Sequence, residues 1–193
     1  MNIATLLLAA GASARLGQPK QLLLHHGQPL VRHMAQLALD LGAGPVAVVT
    51  GANAGAVGAA LHGLQVRILH HTNWQTGMAG SLKLGVEQLA ATCPDALLVL
   101  LTDQPHVSYA LLQQLIAQAV STKKGIIASE YGAVRGVPVL FRPAYFAALQ
   151  TLTGDTGARK LIQQYPHDVA TVPFPEGNID LDTPDDLARW QRT

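Results

Sequence analysis

The sequence predicts an α/β protein built on a doubly wound, mostly parallel sheet. Three observations carry that expectation. Apolar runs of strand length, Ile3 to Leu8 and Ala96 to Leu101, are continuous rather than alternating, as strands buried on both faces are. Segments with helical spacing fall between such runs, so strand and helix alternate along most of the chain. The residues able to do chemistry gather where apolar runs end, the carboxyl edge at which open α/β sheets hold ligands. A chain of 193 residues suits one such core, so residues 1–193 are read as one domain.

Taken in order, Ile3 to Leu8 is the first strand, followed by a small-residue loop and a short hairpin over Gln21 to Pro29. A helix runs from Leu30 to Leu41 and stops at Gly42 and Gly44. Val46 to Thr50 and Val66 to Leu69 are strands, with a glycine-heavy helix from Asn53 to Leu61 between them. A loop from His71 to Gly80 precedes a helix over Ser81 to Ala91. Beyond the central strand, Ser108 caps a helix from Tyr109 to Val120 that carries Leu112, Leu115, Ile116 and Ala119 on one face. Gly125 to Ser129 is a strand. Val137 to Phe141 follows a glycine-bearing turn so closely that some antiparallel pairing is expected in the last third. Helices follow at Pro143 to Leu149 and Thr156 to Tyr165, then short strands at Val169 to Val172 and Ile179 to Leu181. Thr183-Pro184-Asp185-Asp186 opens the last helix with a cap, a first-turn proline and acidic residues.

Composition limits the function. Charged residues are 13% of the chain, about half the usual share of roughly 25%. The formal net charge of +1 gives no electrostatic footprint for nucleic acid or an anionic membrane. The single cysteine, Cys93, forms no internal disulfide and no thiolate zinc set. No apolar run reaches the ~20 residues of a membrane helix, and the N-terminus reads as a strand rather than a leader, so the expected location is the cytosol. The eight histidines form no ligand pattern; His25-His26 and His70-His71 read as surface or strand-end residues.

Small residues and two cations come together in LLLAAGASARLGQPKQLL, residues 6–23. Small residues let the backbone N–H groups of Ala10 to Ser13 turn onto an anion, while Arg15 offers a planar fork and Lys20 a point charge. The dinucleotide fingerprint G-x-G-x-x-G fails because Ser13 stands at its middle glycine. The triphosphate loop G-x-x-x-x-G-K-[ST] fails because Gly17 is followed by Gln18 and Pro19 before Lys20-Gln21. The string resembles the signature loop of the MobA-like nucleotidyltransferases, A-A-G-x-S-x-R-x-G-x-x-K. Its A-A-G form, carried by Ala10, resembles the molybdenum cofactor cytidylyltransferase branch. That resemblance implies a Rossmann-like nucleotidyltransferase fold and a nucleotide held by Ala9, Ala10, Gly11, Ser13, Arg15, Gly17 and Lys20.

Asp103, in Thr102-Asp103-Gln104-Pro105, stands where the central strand ends. A carboxylate there suits a magnesium ion that takes one or two carboxylates plus phosphate and water; a turn residue capping the next helix is the plainer alternative. Asp180 and Asp182 alternate along an extended segment and so share a face. Relatives place a ligand just before Thr-Pro, which points to Asp182 first and Asp180 second. The resemblance sets Gln104 beside the nucleotide and the turn Gly77-Met78-Ala79-Gly80-Ser81 against its base and ribose. Gly136 to Phe141 and Gly154 to Lys160 resemble acceptor-side segments, with Val137 where relatives usually carry histidine. Arg159 and Lys160 are candidates for an anionic acceptor. The implied reaction is transfer of CMP from CTP to a molybdopterin-type phosphate, with transfer from GTP or another triphosphate to a different acceptor, such as a sugar or alcohol phosphate, as the alternative. Arg15, Lys20 and Asp103 would be catalytic and Mg2+ the cofactor. The implied partner is a molybdenum hydroxylase or its chaperone, for which a nucleotide-binding accessory factor without turnover is the alternative role.

Overall fold

The computed structural model describes residues 1–192. In chain order its strands are β1 (Ile3–Ala9), β2 (Leu24–His25), β3 (Gln28–Pro29), β4 (Val46–Thr50), β5 (Arg67–His70), β6 (Ala96–Leu101), β7 (Ile126–Tyr131), β8 (Val134–Phe141) and β9 (Val169–Pro173). Its helices are α1 (Leu30–Asp40), α2 (Ala54–Ala60), α3 (Met78–Ala90), α4 (Tyr109–Ser121), α5 (Phe146–Gln150), α6 (Ala158–Gln164) and α7 (Pro184–Trp190).

Seven strands form one sheet in the order β5-β4-β1-β6-β8-β7-β9. β1 pairs in parallel with both β4 and β6, and β4 with β5. β8 lies antiparallel to β6 and to β7, and β7 is parallel to β9, so β8 alone runs against the rest. This is the expected doubly wound sheet with antiparallel pairing in its last third. The physical reason for the reversal is the tight turn at Gly132, whose φ of 58° closes a β7–β8 hairpin too short to hold a crossover.

All seven residues of β1 are buried, and successive side chains feed opposite layers. Ile3, Leu7 and Ala9 join α1 and α4 residues such as Val31 and Leu115, whereas Ala4, Leu6 and Leu8 join Leu82 and Leu161 of α3 and α6. A fully buried leucine contributes about 2 kcal/mol by area, so an all-apolar β1 anchors the loop that follows it. Gly85 lets α3 come down on β1, since a Cβ there would lie 2.2 Å from Leu6 Cδ1.

Among the differences from the sequence reading, three bear on the carboxyl edge of the sheet. α3 starts at Met78, so Ser81 sits inside its first turn and the N-cap is Gly77. β8 begins at Val134 and is longer than Val137 to Phe141. Ile179 to Leu181 is not a strand. That segment crosses the carboxyl ends of the strands, with Leu181 fully buried and its N–H donating to the Asp103 carbonyl at 3.0 Å. The hairpin β2–β3 turns through His26 and Gly27 at φ 49° and 80°, the two positive values a two-residue turn requires. α7 opens with the expected capping box between Thr183 and Asp186.

Candidate functional site

The loop after β1 is held by its own residues. Ser13 adopts φ 55°, its carbonyl accepts from the N–H groups of Leu16 and Gly17 at 3.1 Å each, and its hydroxyl accepts from Lys20 N–H at 3.1 Å. Leu16 is buried and tethers the tip, and Gly17, at φ 74°, turns the chain back. Gln21 was not singled out from the sequence. Its amide is 1% exposed and donates to the carbonyls of Ala9 and Gly11 at 3.2 and 2.7 Å, stapling the cradle shut. The only sequence signal was its place next to Lys20. Ala10 is fixed from the other side, its carbonyl accepting from Ala52 N–H at 3.0 Å, where a Cβ on Gly51 would come within 2.5 Å of the same oxygen.

Lys20 reaches from this loop to the carboxyl ends of the strands. Its ammonium donates to Asp103 at 2.6 Å and to Asp182 at 2.9 Å, and Arg15 donates to the other oxygen of Asp182 at 2.7 Å. Burial pulls the Lys20 pKa down, but the charges and hydrogen bonds of Asp103 and Asp182 outweigh it and leave the value raised. For Asp182 burial pushes up, and the contacts with Lys20 and Arg15 win, leaving it below the usual carboxylate range. For Asp180, burial, with the neighbouring carboxylates of Asp103 and Asp182, pushes the value up to about 6, and the charge of Lys20 and the Gln104 amide pull down but do not prevail. Asp103 and Asp182 therefore meet on one ammonium, brought there by a pinned coil rather than a strand, while Asp180 lies close enough for their charges to act on it.

A cavity of about 290 Å³ opens beside this cluster. Ala9, Ala10, Gly11, Lys20, Gly77, Ser81 and Asp103 line it, and so do Trp74, Thr102 and Asp155, to which the sequence alone assigns no role. Gly77 is at φ 104°, and a Cβ there would meet the Gly154 backbone at 2.4 Å. The Ala79 N–H donates to the Gly154 carbonyl at 3.0 Å, so the turn is docked on the segment before α6. Ser81 is buried and bonded to His71 Nδ1 at 3.0 Å, and burial, then His70, hold the His71 pKa below its ordinary value.

The remaining expected site residues line a second cavity or neither. Gln104 turns away from this cavity into a second one, of about 220 Å³, where Val137 and Arg159 also sit. Lys160 is exposed and lines neither cavity. Ser13, Arg15 and Gly17 shape the loop without lining the first cavity. Among the described residues, no three histidine, cysteine or carboxylate groups are gathered as a metal site. Two carboxylates already meeting one cation, with Asp103 Oδ1 buried and unpartnered, do match the one-or-two-carboxylate demand of a hard divalent ion completed by phosphate and water.

A family model described as the MobA-like NTP transferase domain matches residues 5–169. Nicotine blue oxidoreductase of Paenarthrobacter nicotinovorans is 35% identical over 95% of the chain and 93% of that protein. Molybdenum cofactor guanylyltransferase of Rhodobacter capsulatus is 29% identical over 98% and 95%. Among solved structures, Rv0371c of Mycobacterium tuberculosis superposes with a TM-score of 0.87 at 28% identity, covering 100% of this chain and 98% of its own. A manganese complex of Rv0371c gives a TM-score of 0.83 at 26% identity, over the whole of both chains. No helix of the described residues is long and apolar enough to cross a membrane.

Proposed function

The chain belongs to the MobA-like NTP transferase family, and from that premise we propose that it transfers CMP from CTP to the terminal phosphate of a molybdenum-bearing molybdopterin, releasing pyrophosphate. The observation that supports this most directly is the meeting of Lys20 with Asp103 and Asp182 at the mouth of a cavity walled by the cradle and the Gly77–Ser81 turn. An acceptor phosphate oxygen attacks the α-phosphorus, a P–O bond forms, the bond to the β-phosphate oxygen breaks, and pyrophosphate leaves with that electron pair. Positioning and charge do the catalysis, with no covalent intermediate on the protein.

Each residue has a part in that step. Lys20 and Arg15, neutralised by carboxylates in this structure, move their charge to the β- and γ-phosphates and stabilise the leaving pyrophosphate. The backbone of Ala10 to Ala12 steadies the polyphosphate, and Gln21 keeps that backbone from yielding. Asp103 and Asp182, with Asp180 beside them, would hold the metal. A bound Mg2+ supplies Lewis-acid neutralisation of phosphate charge. Ala10 faces the base through a methyl group that narrows the cavity for a pyrimidine.

Nicotine blue oxidoreductase, at 35% identity, supports a second reading in which the same scaffold carries a reductase. One experiment separates them. Incubating the protein with Mg2+, each of the four nucleoside triphosphates and molybdenum-loaded molybdopterin should release pyrophosphate fastest with CTP. No release from any triphosphate, together with NADPH oxidation on adding a quinonoid dye, would replace the transferase reading with the reductase one.

A further inference from the structure

The two cavities share a wall made by Leu8, Met78, Leu101 and Asp155, so whatever fills the second lies against whatever fills the first. The second cavity, at about 220 Å³ against about 290 Å³, is the smaller of the two and suits a ligand of the size of a small fused ring. Its floor is apolar, from Leu8, Val99 and Leu101 at the ends of β1 and β6. Its sides are hydrogen-bonding groups of one prevailing kind. Asp155 and Asp180 present carboxylates, and Gln104, 2% exposed, keeps a carbonyl oxygen with no partner while its amide nitrogen donates to the Gly177 carbonyl at 3.3 Å. Acceptors outnumber donors, so the edge of a ligand lying there has to donate. Arg159 stands exposed at the rim.

Tyr131 is the one aromatic side chain lining this cavity among the described residues, and the fold has made room for it twice. A Cβ at Gly177 would come within 2.4 Å of its ring, and one at Gly136 within 2.2 Å of its hydroxyl oxygen. Phe174 meets the ring edge-on at a centroid distance of 6.2 Å and 87°. Packing alone would be met by phenylalanine. Without the oxygen, the nearest ring atom to a Cβ at residue 136 is Cζ at 3.0 Å, tight yet within reach of a small shift. The glycine at 136 is thus required by the hydroxyl itself. A tyrosine phenol is neutral at ordinary pH and so carries an O–H able to donate.

We infer that Tyr131 is the specificity-determining residue of the acceptor site: beside the Gln104 amide it reads the polar edge of a flat heterocycle bearing ring N–H groups, laid over Leu8, Val99 and Leu101, with Arg159 meeting an anionic substituent. The inference rests on the transferase reading only in calling that ligand the acceptor.

The probes are pterin-6-carboxylate, a flat anion with an N–H and carbonyl edge, and 2-naphthoate, a flat anion with neither, each titrated by fluorescence against the whole chain. The wild-type protein should bind the pterin about tenfold more tightly than naphthoate. Tyr131→Phe should weaken the pterin about fivefold, the loss of one neutral hydrogen bond of ~1 kcal/mol, and leave naphthoate unchanged. Gly136→Ala, which keeps the phenol but displaces its hydroxyl, should do the same, and Gln104→Leu should weaken the pterin further. Equal affinity for both probes, or a Tyr131→Phe protein with wild-type melting whose pterin binding does not move, would overturn the inference. Pterin binding with the expected pattern in a protein that releases no pyrophosphate would sustain this inference and sink the transferase reading. Pyrophosphate release with pterin binding indifferent to Tyr131 would do the reverse.

Discussion

The two cavities sit on one sheet edge, separated by a few shared side chains, and are built on opposite principles. Around the first, charge is gathered on stiff backbone: Lys20 lies between Asp103 and Asp182, and Gln21 and Ser13 tie the cradle from within. Around the second, a single ring is packed against two glycines and an apolar floor, with Gln104, two carboxylates and Arg159 on its walls. A polyphosphate is recognised by charge and is much the same in every donor, so its site can be specified by a short contiguous motif. An acceptor is recognised by shape and edge, which needs residues from β6, β7, β8 and α6 converging across the sheet.

The largest effect expected is on the charge cluster alone. Lys20→Ala should lower pyrophosphate release on the order of a hundredfold, about 3 kcal/mol of transition-state stabilisation, without altering pterin-6-carboxylate binding at the second cavity. Because its side chain is only 16% exposed and bridges two carboxylates, the loss leaves those groups facing each other. Mn2+ titrated in the absence of nucleotide, read by electron paramagnetic resonance, should therefore bind Lys20→Met more tightly than wild type. Wild-type turnover in the alanine variant, or unchanged Mn2+ affinity in the methionine one, would mean that the ion pairs are merely surface electrostatics.

Next in size is a change beside the shared wall, at Gly77, which adjoins Met78 and abuts Gly154 and Asp155, and which should damage both cavities at once. Gly77→Ala forces a left-handed backbone on alanine and drives its methyl into Gly154, a strain of about 1–3 kcal/mol. The melting temperature should fall by several degrees, on the order of 2–4 °C per kcal/mol for a chain of this size, and both CTP and pterin binding should weaken. Damage confined to one ligand would show that the wall is not shared energetically.

Smaller again is the effect at Ala10. Its side chain is 6% exposed and packed beside Gly51, so Ala10→Gly should erode a CTP-over-GTP preference of about tenfold, or ~1.4 kcal/mol, with little change in stability. Specificity constants for the two nucleotides measure it. A ratio that stays put assigns base choice to the Gly77–Ser81 turn.

The smallest effect lies outside both cavities and serves as the control. Asp168 accepts hydrogen bonds from Tyr145 and from the N–H of Gly125, at the start of the hairpin. The Tyr145 bond is the main cause holding its carboxyl below the ordinary value. A depressed folded value contributes stability that is present above the unfolded carboxylate range, near pH 4, and is lost as pH falls through the folded one. Tyr145→Phe should therefore flatten the acid limb of a melting-temperature profile below pH 4 while leaving neutral-pH binding of both ligands unchanged. An acid limb of the same slope would place that sensitivity in other carboxylates.

The parallel half of the fold, and the cradle it presents, were legible in the sequence because both are local. Continuous apolar runs mark buried strands, and a contiguous loop carries Ser13, Arg15, Gly17 and Lys20 at fixed spacing whatever the rest of the chain does. The capping box at Thr183 and the hairpin at Gly27 are equally local. Only the tertiary structure decided what the charges face. That Lys20 lies between Asp103 and Asp182 depends on contacts 83 and 162 residues apart. That the segment around Leu181 is a pinned coil rather than a strand depends on a hydrogen bond to Asp103, offered only after β6 is in place. Gln104 turned toward the second cavity for the same kind of reason, since its partner is the carbonyl of Gly177. Nothing in the order of residues marks Tyr131, whose place is set by two glycines that meet it across the hairpin and from beyond β9. Periodicity reports burial because burial repeats along an element, whereas the direction in which a polar side chain finally points is fixed by partners that folding alone brings near.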